Sequence, residues 1–360
     1  MNVFIDTERL RDPHSGLGQF CRHLGDALVR RQPTAANLTF LVPPGQTGAF
    51  GREVFYRETT WWRRWLSPGG FDLWHCTHQD SAYLPPAGTQ LILTIHDLNF
   101  LERADYSEAK KARKLAQLQK KVARAAAITT ISEYTASVVR QHLRLPDVPL
   151  KVIYNGNPMG SGQGPLAGEQ VPETLPPYGL TGQAPYFLSV GVIHPKKNLH
   201  TLLPMLEAFP DYRLVLAGPD GHDYARHLRQ QAESLGIADR LLMPGAVDEP
   251  TKRWLYENCR AFLFPSLSEG FGLPVVEAMS LGKPVFLSRL TSLPEVGGKE
   301  AYYFNSFEPE SMAETIFDGL QDFAANPFRA SRLQRWAAQF SWERAGEEYW
   351  TLFQELRIKS

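Results

Sequence analysis

Short apolar runs alternate with helix-length amphipathic stretches along almost the whole chain, and the alternation is interrupted once. The interruption runs from Asn157 to Pro185 and carries Pro158, Pro165, Pro172, Pro176, Pro177 and Pro185 among many glycines. Such a stretch punctuates a fold and contributes little to a core, so it reads as a linker over residues 161–184. At 360 residues the chain exceeds the about 250–300 that one core sustains. Two domains follow, the first over residues 1–160 and the second over 185–340.

In the first half strands are expected at Asn2–Asp6, Leu38–Val42, Phe71–His75, Gln90–His96, Ala127–Ile131 and Lys151–Tyr154. Helices are expected at Gly18–Arg31, Ser107–Ala126 and Glu133–Leu143. The second half repeats the pattern. Its strands are expected at Tyr186–Gly191, Tyr212–Ala217, Arg240–Met243, Ala261–Phe264 and Pro284–Leu287. Its helices are expected at Leu199–Ala208, Asp223–Leu235, Glu249–Asn258, Pro274–Leu281 and Pro309–Phe323, with a last one at Trp342–Ile358. Strands that are apolar on both faces belong in a parallel sheet covered by helices. The fold class is therefore α/β, with two doubly wound domains facing across a cleft. Ligands of such sheets bind beyond the carboxyl ends of the strands, so the loops that follow strands should carry the chemistry.

Composition excludes several classes. No apolar run approaches the ~18–20 residues of a membrane span. Asp6, Glu8 and Arg9 cut into the N-terminal apolar run, which argues against a signal peptide. Cys21, Cys76 and Cys259 are far apart, which fits a reducing, cytoplasmic compartment and excludes a cysteine-rich metal site. Residues 1–150 hold 19 Lys and Arg against 14 Asp and Glu, a net +5, and the remainder is −5. That excess is too small for nucleic acid but suits an anionic acceptor or membrane surface.

Four loops stand out. Ser268-Glu269-Gly270-Phe271-Gly272-Leu273-Pro274-Val275-Val276-Glu277 follows the strand Ala261–Phe264 and opens a helix. Its glycines let the backbone approach a ligand, and the helix N-terminus favours an anion. Of Glu269 and Glu277, one carboxylate could accept from sugar hydroxyls and the other could grip a ribose diol. Ser189–Asn198 places Gly191, Lys196 and Lys197 after the first strand of the second domain, where a diphosphate fits. A fixed cation there stabilises the charge that develops on a departing nucleotide, as an oxyanion-hole donor worth roughly 3–4 kcal/mol does. Asp12–Gly18 sets Gly16 and Gly18 before the first helix as a further phosphate or sugar contact. Thr94–Leu98 presents His96 and Asp97 at a strand end, for substrate contact or base catalysis, or as a purely structural pair. His75, His78 and Asp80 follow another strand, and an acceptor-facing loop is preferred there over a metal site because their spacing matches no ligand motif.

Two surface features suggest peripheral membrane contact. Trp61-Trp62-Arg63-Arg64-Trp65-Leu66 interleaves aromatic and basic residues, and the Ser107–Ala126 helix carries seven cations.

With these segments assembled, the chain resembles the retaining GT-B glycosyltransferases of family four. Ser268–Glu277 matches that family's Glu-x7-Glu signature, continued through Ala278–Val285. Gly191–Asn198 is similar to its diphosphate loop, Ser292–Gly298 to its loop after the next strand, and Phe340-Ser341-Trp342 to the start of its last helix. The resemblance implies that the last helix, 341–360, returns to the first domain, which binds acceptor, while the second domain binds a nucleotide-sugar donor. It implies that Glu277 holds the ribose, that Glu269 with the Phe271 and Gly272 amides holds the sugar, and that Lys197 meets the diphosphate. It implies no cofactor and no metal. His96-Asp97 and the Leu293–Gly298 string look most like bacterial mannosyltransferases of O-antigen or capsule assembly. The chain departs from many relatives at Val192, where an arginine is common, and at Lys299-Glu300. The expected activity is hexosyl transfer, mannose first, from a GDP- or UDP-sugar to a saccharide or lipid-linked saccharide. The alternatives are a sugar-nucleotide epimerase of the same fold and a catalytically silent sugar-nucleotide-binding subunit.

Overall fold

The computed structural model describes residues 1–13, 15–61, 68–103, 106–159 and 185–358. The expected linker 161–184 and most of Trp61–Leu66 lie outside the described residues. Two compact units are present, one built from residues 1–158 with 340–360 and the other from 159–339.

The first unit is one parallel sheet wrapped by helices. Its strands are β1 (Asn2–Asp6), β2 (Asn37–Val42), β3 (Phe55–Glu58), β4 (Leu73–Cys76), β5 (Gln90–Ile95), β6 (Ala125–Thr130) and β7 (Leu150–Val152). They lie in the order β3-β2-β1-β4-β5-β6-β7. The helices α1 (Gly16–Arg30), α2 (Glu108–Val122) and α3 (Glu133–His142) each start on a serine cap, Ser15, Ser107 and Ser132, whose hydroxyl takes a first-turn amide. Phe4, Phe40 and Trp74 fill the core from strands, and Phe20 fills it from α1. The C-terminal helix Trp342–Ile358 closes this unit. The Tyr349 hydroxyl lies 3.1 Å from both Thr94 and Thr129 inside the sheet, and the Trp350 indole donates to the Leu28 carbonyl at 3.0 Å.

The second unit repeats the plan with β8 (Tyr186–Val190), β9 (Arg213–Ala217), β10 (Leu241–Gly245), β11 (Ala261–Phe264), β12 (Val285–Leu287) and β13 (Tyr302–Tyr303). Their order is β10-β9-β8-β11-β12-β13, again all parallel. Around it lie α4 (Leu202–Met205), α5 (Asp223–Ser234), α6 (Glu249–Asn258), α7 (Leu273–Ser280), α8 (Leu293–Gly297), α9 (Pro309–Ala325) and α10 (Arg329–Ala337). In both sheets the chain winds outward from the first strand and then reverses. The reversal falls between β1 and β4 in one unit and between β8 and β11 in the other. Loops diverge at such a switch point and leave a crevice at the carboxyl edge.

Some elements differ from expectation. Leu199–Ala208 is not one helix: a 3-10 turn, the four residues of α4 and a second 3-10 turn replace it. Pro204 removes an interior donor there. The Ala-rich end of the Ser107–Ala126 helix instead enters β6, because sheet pairing outweighs alanine's helix preference. The edge strands β3 and β13 escaped notice, being short and only partly buried.

The return of the chain is tight. A Cβ on Gly156 would lie 2.1 Å from the Trp342 backbone nitrogen, and the Asn157 amide donates to the Phe340 carbonyl at 2.9 Å. We expect Gly156→Ala to lower stability by roughly 1–3 kcal/mol. Thermal unfolding checks this, and a variant that melts like the wild type would show that the crossing has room to spare.

Candidate functional site

In the second unit the switch point gathers two loops. The loop after β8 carries Gly191 to Asn198, and the loop after β11 carries Ser266 to Gly272. Gly191 stands at φ 136°, a conformation that glycine adopts without strain. A Cβ on it would lie 3.5 Å from the Lys197 ammonium, so glycine keeps space open over that cation. The loops are stitched by backbone: the Leu267 amide donates to the Lys196 carbonyl at 2.8 Å.

Across this seam the Lys197 Nζ meets the Glu269 Oε1 at 2.6 Å, and each residue is 8% exposed. The Ser266 hydroxyl lies 2.6 Å from the same carboxylate oxygen, and the ammonium sits 4.5 Å from the centre of the Phe264 ring. Burial pushes the Glu269 carboxyl up. Lys197, Lys196 and the Ser266 hydroxyl more than offset it and hold the group ionised, below its usual range. Burial pulls the Lys197 ammonium below its ordinary range, against the opposing pull of Glu269.

Next along the chain, Gly272 caps α7 at φ 110° with no side-chain hydrogen bond, and Leu273 and Pro274 open the helix. Glu277, one turn in and 4% exposed, has its own surroundings. Its Oε1 meets Lys252 Nζ at 3.0 Å and its Oε2 accepts from the Tyr256 hydroxyl at 2.7 Å. Burial lowers the Lys252 ammonium, but Glu277 and Glu249 outweigh it and the net shift is upward. The structure thus joins Gly191, Lys196, Lys197 and Glu269 in one cluster. Gly270, Phe271, Gly272 and Leu273 bridge from it to α7, and Glu277 forms a second anionic station with Lys252 and Tyr256.

In the first unit the carboxyl edge is occupied differently. His96 is buried, and its Nε2 lies 2.7 Å from the Thr77 carbonyl. A carbonyl only accepts, so Nε2 carries the proton and Nδ1 is the basic nitrogen. Burial pushes this imidazole down to about 4, against the upward pull of that carbonyl. The Asp97 carboxylate accepts from the Asn99 amide at 3.0 Å and so shapes its own turn. His78 is fully buried with its Nε2 3.2 Å from Glu8, and His75 is hydrogen-bonded to Thr94 at 2.8 Å beneath Tyr349. Asp80 is exposed. No group of three His, Cys, Asp or Glu able to hold a metal occurs among the described residues. At the start of α1, a Cβ on Gly18 would collide with the Asp12 carbonyl at 2.1 Å, whereas Gly16 has open space around it. Gly18 is therefore required by packing, and Gly16 is the more accessible of the two.

Sequence reasoning passed over Ser266, Thr291, Tyr256 and Lys252, and it gave Ser292 no role beyond opening the Ser292–Gly298 string. The Thr291 hydroxyl accepts from the Glu269 amide at 3.1 Å, and the Ser292 hydroxyl lies 3.1 Å from the Glu269 carbonyl and 2.9 Å from that of Phe271. A pair of adjacent hydroxyls just before Leu293-Pro294 was the available signal.

We expect Glu269→Gln to strip charge from one side of a buried pair and to lower unfolding free energy by about 3–5 kcal/mol in urea titration. The double variant Lys197→Met/Glu269→Gln should recover much of that loss. Because the Glu269 carboxyl is held below its ordinary 4.5, its stabilisation is complete above that pH and fades as acid takes the folded protein through the lowered value. The Gln variant should lack this component of acid sensitivity. Equal acid profiles for the two proteins would refute the ionised pair.

Comparisons with known proteins place the chain by family and fold. The family model described as "Glycosyl transferases group 1" matches residues 171–333, and that described as "Glycosyltransferase Family 4" matches residues 15–157. The O-antigen chain mannosyltransferase B of Escherichia coli is 30% identical over 275 residues, which is 74% of this chain and 70% of that protein. The serotype-specific mannosyltransferase WbdA of Escherichia coli is 33% identical over 163 residues, 44% of this chain but 20% of that longer protein. Among solved structures, sucrose-phosphate synthase from Thermosynechococcus elongatus superimposes with a TM-score of 0.77 at 17% identity and full coverage of both chains, a likeness of fold.

Proposed function

The chain belongs to the GT-B glycosyltransferases of the family-four kind, and on that premise we propose that it moves a hexose, mannose first among candidates, from a nucleoside-diphosphate donor to a saccharide or lipid-linked saccharide during surface-glycan assembly. The buried Lys197–Glu269 pair at the switch point of the second sheet carries this reading. The likeness to the two Escherichia coli mannosyltransferases, one of them of the O-antigen chain, supports mannose and surface glycan.

In this reading the diphosphate lies over Gly191, where Lys197 and Lys196 face it together with the amide end of α7. As the glycosidic bond breaks, its electron pair goes to the diphosphate oxygen, and a prepositioned ammonium stabilises that charge without reorganising. Lys197 is buried, so its field is little screened. These groups would do the work that a divalent cation does elsewhere, and no metal is invoked. Glu269, fixed by Ser266 and Lys197, accepts from sugar hydroxyls, and Glu277 accepts from the ribose diol. A GDP- or UDP-sugar satisfies both stations. Retention of configuration by front-face attack fits a site whose buried carboxylate is neutralised by lysine and so is a poor nucleophile. On the first unit, His96 offers Nδ1 to a substrate hydroxyl.

The test is transfer of labelled hexose from a panel of GDP-, UDP-, ADP- and CMP-sugars to saccharide and lipid-linked acceptors. Donor binding at about 100 times its dissociation constant should add roughly 2.7 kcal/mol of stability, visible as a raised melting temperature. Glu269→Ala and Lys197→Ala should each slow transfer by about 10²-fold or more. Near-normal turnover in either variant removes its assigned role. Donor binding without turnover on any acceptor would instead mark a silent binding subunit.

The His96 ring gives a separate expectation. Its imidazole is lowered to about 4, so it stays neutral through the mildly acidic range. If Nδ1 takes the acceptor proton, the acid limb of the pH–rate profile falls near that value and vanishes in His96→Ala. An acid limb near 6.5 that depends on His96 would contradict the buried, carbonyl-bonded ring.

A further inference from the structure

Among the described residues only two non-glycine residues have a left-handed backbone, Asn198 at φ 56° and Thr291 at φ 56°. Both lie in carboxyl-edge loops of the second sheet. Asparagine tolerates that region, but threonine does not: its branched Cβ crowds the backbone, and a threonine there is a true outlier. Glycine would make the same turn without strain. Something other than the turn must therefore retain the threonine side chain.

The hydrogen bonds supply the reason. The Thr291 hydroxyl accepts from the backbone N–H of Glu269 at 3.1 Å, and the neighbouring Ser292 hydroxyl lies 3.1 Å from the Glu269 carbonyl. Two consecutive hydroxyls thus clasp both ends of one residue, 22 and 23 positions away in sequence. The Glu269 side chain is separately held by Ser266 and Lys197. Swinging Thr291 into a relaxed conformation would carry its oxygen off the Glu269 amide and leave that part-buried donor without this acceptor.

We propose that Thr291 is a positioning residue for transfer: its strained backbone is maintained so that its hydroxyl fixes the Glu269 peptide and, through it, the carboxylate that holds the donor sugar. This rests on the donor-site reading of Glu269. Strain of this kind persists where the surroundings over-determine it, and it concentrates at functional sites. Misplacing a substrate-binding group by about 1 Å costs on the order of 10²-fold in rate.

Three variants separate hydroxyl from backbone. Thr291→Ser keeps the hydroxyl, Thr291→Val keeps the shape and the strain without it, and Thr291→Gly removes both hydroxyl and strain. Hydrogen exchange of the peptide spanning residues 266–272, followed by mass spectrometry, reads the clasp without any substrate. We expect wild-type protection in the Ser variant and faster exchange in the Val and Gly variants. Transfer assays should show kcat retained in Ser and lowered by about 10²-fold in Val and Gly. Affinity for the free nucleoside diphosphate, which lacks the sugar, should stay unchanged in all three. Melting temperature should not follow the same order, because glycine eases the backbone while valine does not. Normal exchange or normal kcat in Thr291→Val overturns the proposal, as does recovery of activity in Thr291→Gly. If the wild-type protein transfers from no donor, the reading of the site falls, and the exchange measurement alone still decides the clasp.

Discussion

A buried ammonium facing a buried carboxylate is the interaction around which the second unit is organised. Taking Lys197 and Glu269 out of water is expensive, and their mutual attraction offsets that cost only if the remaining lone pairs and protons are also satisfied. The surroundings do so at several points. Ser266 adds a hydroxyl to the carboxylate, the Phe264 ring offers its face to the ammonium, and Thr291 and Ser292 hold the peptide that presents Glu269. Each group comes from the carboxyl end of β11 or β12 or from the loop beyond. Replacing such a buried pair by hydrophobic residues of similar volume is often neutral or stabilising. Stability is therefore a weak reason for the ionic pair, and the proposed donor-binding role supplies another.

Topology explains why these groups can meet at all. Lys197 and Glu269 are 72 residues apart, yet they follow neighbouring strands because the winding reverses between β8 and β11. At the other adjacent pairs in the sheet, consecutive strands are neighbours joined by a direct crossover. At the reversal the two crossovers leave on opposite faces, and the crevice is left to the loops. The first sheet has the same order with one more strand, β7, at its end, and the same reversal between β1 and β4, where Asp6, Glu8 and His78 are buried. Burial first pushes the Asp6 carboxyl up, partly countered by His78 and Ser81. One architecture thus carries two different polar linings, and the open glycine stands at Gly191 in one unit and Gly16 in the other.

How much of this was legible depends on whether the information is local. Ser268–Glu277 and Ser189–Asn198 could be read because each is a contiguous string in which glycine, charge and a helix start fall at fixed offsets. Their strands could be read for the same reason, with Ala261–Phe264 and Asn2–Asp6 matching to the residue. The partners of Glu277 could not be read, since Lys252 and Tyr256 sit on α6 and reach it only after folding. Thr291 was equally hidden. Nothing in a lone threonine reports its φ, and its acceptor role exists only once β12 lies beside β11. Leu199–Ala208 shows the opposite error: an apolar periodicity that suits a helix, overruled by one proline.

Surface charge shows most sharply that counting residues differs from counting available charges. The helix α2 and its flanks carry seven cations, which invites a reading as an anion-binding face. In the fold, Lys121 donates to the carbonyls of Gln79 and Ser81 at 2.6 and 2.7 Å, and burial pulls its ammonium below the ordinary range. Arg124 donates to the Pro85 carbonyl, Lys110 lies over the Tyr106 ring, and Lys111 pairs with Glu108. Lys114 leans toward Asp80 and Phe100. Arg113 and Lys120 stand exposed. Lys121 and Arg124 satisfy carbonyls in the turn that carries His78 and Gln79 and in the stretch after it, and Gln79 in turn accepts from the His96 amide at 3.1 Å. Two of the seven cations thus hold the carboxyl-edge loops in place, and any attraction to an anionic surface must come from the others.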